Sequence, residues 1–99
     1  MDFEWDERKR LANLAKHGVD FVRAIRIWEN ERVLVLEDRR RDYRERRFQA
    51  FGFVDGMLLM AAFTWRERRC RIISARRASR DERQAYRETI SAEGAADGG

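Results

Sequence analysis

The segment that most restricts the fold is 48–65, where two apolar runs flank Asp55-Gly56. Asp-Gly supplies the positive φ angles of a type I′ turn, so Phe48 to Val54 and Met57 to Trp65 read as the arms of a β-hairpin. The second arm is apolar on both faces, the pattern of a central strand covered by helices. Any fold for this chain must bury that strand between other elements.

The flanking sequence supplies those elements. Phe3-Glu4-Trp5 reads as a short strand, and Asp6 is a good N-cap for a helix that ends before Gly18, the expected C′ residue. Leu11, Leu14 and Ala15 put apolar groups on one face of that helix. Asp20 caps a second helix, in which Phe21, Ala24, Ile25 and Trp28 recur at i, i+3, i+4 and i+7. Val33 to Leu36 is a short strand, followed by an Arg-rich segment from Arg39 to Arg47. Arg71 to Ala75 is the last strand and Ser79 to Ile90 the last helix. The order β-α-α-β-β-β-β-α predicts an α+β domain: an antiparallel sheet with two N-terminal helices and one C-terminal helix packed on it. Residues 1–91 form that single domain, and 92–99, small and acidic, read as a disordered tail.

Composition narrows the function classes. A 99-residue chain buries roughly 60–65% of its unfolded surface, enough for one thin core. Of its 22 basic residues, 20 are arginine and 2 are lysine, with a net charge of +4. Such a bias suits phosphate recognition, although Arg-favouring codons produce it too. Cys70 alone cannot form an internal disulfide and reads as packing in a reducing cytoplasm. The longest apolar run, from Met57 to Trp65, is nine residues against the roughly 20 of a spanning helix, so neither a membrane span nor a signal peptide is expected.

Residues 70–87 hold the clearest candidate site. The apolar run of Ile72 and Ile73 stops at Arg76 and Arg77, and Ser79 opens a helix with Glu82 at capping-box spacing. A strand end and a helix start thus present several guanidinium groups, the side chain best shaped to grip phosphate by two prongs. His17, the only histidine, ends the first helix beside Lys16. There the side chain serves either proton transfer and phosphate contact or simply the helix's own carbonyls at the negative end of its dipole. One His and one Cys without ligand-spaced clusters cannot complete a zinc site, so no metal or cofactor is expected. In Asp42-Tyr43-Arg44-Glu45-Arg46-Arg47, Glu45 and Arg47 share a face if both lie in the strand, and an ion pair would position Arg47. Trp65, at a strand end beside Arg66, is a conceivable base-stacking platform; the other tryptophans read as core.

Taken together, these segments resemble the BrnT toxins of bacterial type II toxin–antitoxin systems. Four blocks carry the resemblance: Phe3-Glu4-Trp5-Asp6 with Lys9; Asn13-Leu14-Ala15-Lys16-His17-Gly18-Val19; Asp42 to Arg47; and Arg71-Ile72-Ile73-Ser74-Ala75-Arg76-Arg77-Ala78 with Glu82 and Tyr86. The resemblance implies a RelE-like fold and a ribonuclease that arrests translation. It also implies a cognate BrnA-like ribbon-helix-helix antitoxin, two toxins on an antitoxin dimer, and operator DNA bound only through the antitoxin. The chain departs from the family at two points. The family's Tyr-Thr-Glu-Arg-Gly after the central strand is Phe63-Thr64-Trp65-Arg66-Glu67 here, a turn without glycine, and its Asp-Tyr-Gly-Glu is Asp42-Tyr43-Arg44-Glu45.

Without a metal site, the natural route to RNA cleavage is attack by a 2′-hydroxyl on its own phosphate, aided by positive charge on the phosphorane. The expected catalytic residues are His17, Arg76, Arg77 and Tyr86. Lys16, Arg47, Arg71 and Arg80 are expected to bind RNA, with Glu45 and Glu82 in support. Strand alternation places Arg71 on the face of Ala75. A non-catalytic nucleic-acid-binding module, or a protein-interaction subunit with a basic face, are the alternatives.

Overall fold

The computed structural model describes residues 1–98, with side chains as far as Glu93. Its elements are β1 (Phe3–Glu4), α1 (Glu7–His17), α2 (Phe21–Ala24) continuing into a 3-10 turn (Ile25–Glu29), β2 (Leu34–Asp38), β3 (Arg47–Val54), β4 (Met57–Arg66), β5 (Arg69–Arg77) and α3 (Arg80–Gly98). The five strands form one sheet in the order β1-β5-β4-β3-β2. This is the expected α+β architecture with one refinement. β1 pairs parallel to β5, so the sheet is mixed.

The hairpin turn forms as anticipated, with Asp55 at φ 51° and Gly56 at φ 78°. β4 lies at the centre of the sheet. Its Leu59, Ala61 and Phe63 pack under α2 and the 3-10 turn together with Phe21, Ala24 and Ile27, while its Leu58 and Met60 pack under α3 with Phe51 and Tyr86. Two apolar faces on one strand therefore correspond to two layers of helix.

Three local expectations are corrected. The second helix tightens to 3-10 geometry after Ala24, which shortens the repeat and brings Ile27, rather than Ile25, fully into the core. On α1, Leu11 and Leu14 are 53% and 37% exposed, and the buried residue is Asn13. The reason is the open edge of β5 beyond β1: Asn13 Nδ2 donates to the Ala75 carbonyl (2.8 Å) and Oδ1 accepts from the Ala75 N–H (3.1 Å). Finally, α3 runs on past Ile90 through Ala92 and Glu93. Of the segment expected as a disordered tail, the side chains from 94 onward and the whole of Gly99 lie outside the described residues.

Candidate functional site: an arginine-lined groove

β5 runs from Arg69 to Arg77, two residues further at each end than the sequence pattern suggested. Arg76 and Arg77 are thus the last two strand residues, and alternation sends them to opposite sides. A register shift between Ala62 and Phe63 pairs Phe63 with Ile72 and Ala62 with Ser74, which leaves Ile73 as the extra residue of a β-bulge. The bulge reverses the expected grouping. Arg71 lies on the face of Ser74 and Arg76, and Ala75 lies on the opposite face.

That face carries a row across the sheet. Glu4 pairs with Arg71 and Arg71 with Thr64, and one step past the Phe48–Phe63 pair comes Arg47, which pairs with Asp38. The next row is small or polar (Ser74, Ala62, Gln49), and beyond it Met60 and Phe51 are covered by α3. A groove results. Its floor is the small row, with the start of α3 and Arg76 on one side and the 39–46 loop on the other. Within it, Leu36, Gln49, Phe51, Glu82 and Tyr86 border a hollow of about 130 Å³.

Each arginine of this face is held by a carboxylate. Arg76 donates from both terminal nitrogens to Glu82 (2.6 and 2.9 Å), and Nη1 also reaches the Arg77 carbonyl (3.2 Å). Arg71 stands 3.8 Å from Glu4, Arg47 is 3.3 Å from Glu45, and Arg40 makes a two-pronged contact with Asp38 (2.9 Å for each bond). The Arg47 guanidinium also lies 4.2 Å above the Tyr43 ring, whose hydroxyl donates to Asp38 (3.1 Å). Glu45 itself precedes β3 rather than lying in it. Glu82 completes the capping box as expected: it accepts from the Ser79 N–H (2.8 Å), and its own N–H donates to Ser79 Oγ (3.2 Å).

The electrostatics follow from these contacts. Hydrogen bonds from Arg76 hold the Glu82 carboxyl down to about 2. Those from Arg40 hold Asp38 far below the carboxylate range. Both stay ionised at neutral pH and are poor bases, so they serve to orient guanidiniums. Burial pushes the Tyr86 phenol up, and its hydroxyl donates to the Arg32 carbonyl (3.2 Å), so it braces α3 against the loop before β2. Burial likewise pushes the Cys70 thiol up to about 12, in keeping with a packing role.

The remaining expected residues lie apart from the carboxylate-held arginines. The Asn13–Ala75 contact seats α1 on β5 one residue from Arg76, and Lys16 and His17 follow within about one helical turn. Among the described residues, neither forms a side-chain hydrogen bond or ion pair with the arginines. Arg80 is the exposed first residue of α3. Arg77, expected beside Arg76, instead lines a separate hollow with Arg83 and Arg87. Trp65 is 48% exposed, edge-on to Phe63, and borders a hollow of about 300 Å³ with Phe48 and Arg46. Sequence reasoning missed Glu4, Asp38 and Arg40. Asp38 and Arg40 lie two apart where a strand ends, a spacing that signals an ion pair only once the strand boundary is known.

Four oriented guanidiniums around a small groove can bind a phosphodiester and stabilise the extra negative charge of a phosphorane. Comparison with known proteins bears on what such a groove does. No curated protein matches the chain. The family model described as "Ribonuclease toxin, BrnT, of type II toxin-antitoxin system" matches residues 5–82, which include β1's flank, all of the sheet's other strands and the Arg76–Glu82 pair. The chain therefore belongs to the BrnT family, the ribonuclease toxins of type II toxin–antitoxin systems.

Proposed function

We propose that this toxin cleaves RNA without a metal ion, and that Arg76, Arg71 and Arg47 hold the phosphate that is cut. A ribose 2′-oxygen attacks phosphorus, the bond to the 5′-oxygen breaks, the 2′-hydroxyl proton leaves and the departing 5′-oxygen gains one. The products are a 2′,3′-cyclic phosphate and a free 5′-hydroxyl. His17 is the residue assigned to proton transfer, and Lys16 and Arg80 flank the strand. Glu82 and Glu45 orient Arg76 and Arg47. Tyr86 supports α3 from below.

The observation that carries this reading is that Arg47, Arg71 and Arg76 lie on one sheet face, where the bulge at Ile73 sets Arg76 with the other two. Glu4, Asp38, Glu45 and Glu82 are each already engaged by an arginine, which favours a guanidinium-based over a metal-based route. The partner proposed is a BrnA-like ribbon-helix-helix antitoxin, two toxins to an antitoxin dimer, which carries the complex to operator DNA. RNA as target places the action in the cytoplasm.

The test is incubation of the purified toxin with end-labelled RNA in EDTA. Cleavage leaving cyclic or 3′-phosphate ends is expected, and Arg76→Ala should lose at least about 100-fold in rate, the scale of a lost transition-state donor. The variant should still bind its antitoxin. RNA binding without cleavage would instead mark a non-catalytic module.

A further inference from the structure

α3 separates two hollows of unlike charge. Its Glu82 and Tyr86 face the groove, and its Arg83 and Arg87 line the other hollow, about 230 Å³, with Arg77, Phe53 and Leu58 at the β3–β4 turn. Arg83 and Arg87 are four residues apart and project side by side. Arg83 is steadied by a bond from Nη1 to the Ala78 carbonyl (3.1 Å).

The two arginine sets differ in their partners. In the groove, Arg40, Arg47, Arg71 and Arg76 each have a carboxylate. Among the described residues, Arg77, Arg83 and Arg87 form no ion pair. Like charges at this spacing repel, and an anion bound between Arg83 and Arg87 would relieve that repulsion. Guanidiniums match phosphate oxygens by two-pronged hydrogen bonds.

We propose that this hollow is a second phosphate site, which holds the RNA backbone beyond the segment lying in the groove. The inference rests on RNA being the substrate of the groove. Exposed Arg80, at the first position of α3, lies three and seven residues before Arg83 and Arg87 and so shares their side of the helix. A strand with one phosphate on Arg76 can therefore cross the start of the helix on arginines alone. An acidic protein segment has no such reason to continue from the groove.

The test pairs an RNA of about 25 nucleotides with a short one of about 5, and the full chain with its double variant Arg83→Gln/Arg87→Gln. Each phosphate contact on a single strand contributes about 0.7 to the slope of log affinity against log salt. The double variant should flatten that slope by about 1.4 for the long RNA. Between 50 and 200 mM salt, the parent should thus lose about sevenfold more affinity than the variant. Short-RNA cleavage should be unchanged, and Arg83→Lys/Arg87→Lys should restore the slope. An unchanged slope for the long RNA overturns the proposal, as does a variant that loses only its affinity for antitoxin. If the parent cleaves neither RNA, the ribonuclease reading of the groove fails, while the slope still reports on the second site.

Discussion

Asn13 closes the edge of β5 at Ala75, accepting from its N–H and donating to its carbonyl, with Nδ2 also bonded to the Val19 carbonyl (3.0 Å). β1 is only two residues long and covers β5 no further than Arg71. One helix side chain thus stands in for a third strand residue, and it fixes both α1 and the turn after it.

Asn13→Ala is therefore expected to destabilise the chain by about 2–4 kcal/mol, because at least two buried backbone groups lose their partner. On a domain of this size that is a fall in Tm of roughly 10–25 °C. Thermal unfolding followed by circular dichroism decides it. A loss under about 0.5 kcal/mol would mean that water replaces the amide.

The Arg76–Glu82 pair sets an acid limb. The folded carboxyl of Glu82 lies near 2 against an ordinary value of 4.5. Its stabilisation is complete above pH 4.5 and is lost as pH falls toward 2. Glu82→Gln should cost about 2 kcal/mol at pH 7, as for a hydrogen bond to a charged group, and should flatten the decline between those pH values. Asp38, depressed by Arg40, retains its own share of the limb. Denaturant midpoints of both proteins from pH 7 to 2 measure the difference, and parallel curves would remove Glu82 from the account.

Besides the Asp55-Gly56 hairpin, two turns hold residues in conformations that favour glycine. Arg44 has φ 60°, and Glu67 and Arg68, which join β4 to β5, have φ 48° and 69°. These are the two places where the chain departs from the glycine-bearing motifs it otherwise resembles. The left-handed region costs a non-glycine residue about 1–2 kcal/mol, partly offset by the greater unfolded freedom of glycine. Arg44→Gly and Arg68→Gly should each raise Tm by about 2–6 °C. A lowered Tm for both would show that side-chain contacts of these arginines outweigh the strain.

Much of the fold was legible because it rests on local chemistry: Asp-Gly at the hairpin, Ser79 and Glu82 at the cap, Asp6 and Gly18 at the ends of α1. The site was legible in residue types and less so in direction. Alternation read from sequence assumes an unbroken ladder, and Ile73 breaks it, so Arg71 joined Arg76 while Arg77 went elsewhere. No periodic signal marks a bulge between two isoleucines. Nor does hydrophobic patterning find Asn13, whose burial depends on a strand edge 62 residues away.

Tyr43 tests whether Arg47 belongs to the substrate site. Its ring lies under the Arg47 guanidinium and its hydroxyl bonds Asp38, so it ties the 39–46 loop to the groove. Tyr43→Phe keeps the ring and loses one hydrogen bond, with cleavage near the parent's and about 1 kcal/mol less stability. Tyr43→Ala removes the ring, whose attraction for a cation is worth about 0.5–2 kcal/mol. It should raise KM for RNA about 3- to 30-fold with kcat little changed, since the guanidinium is left to wander and not removed. Steady-state cleavage of a short RNA by the three proteins separates the effects. If Tyr43→Ala matches the parent in KM while Arg76→Ala is inactive, the phosphate is held by β5 alone and Arg47 belongs to the loop.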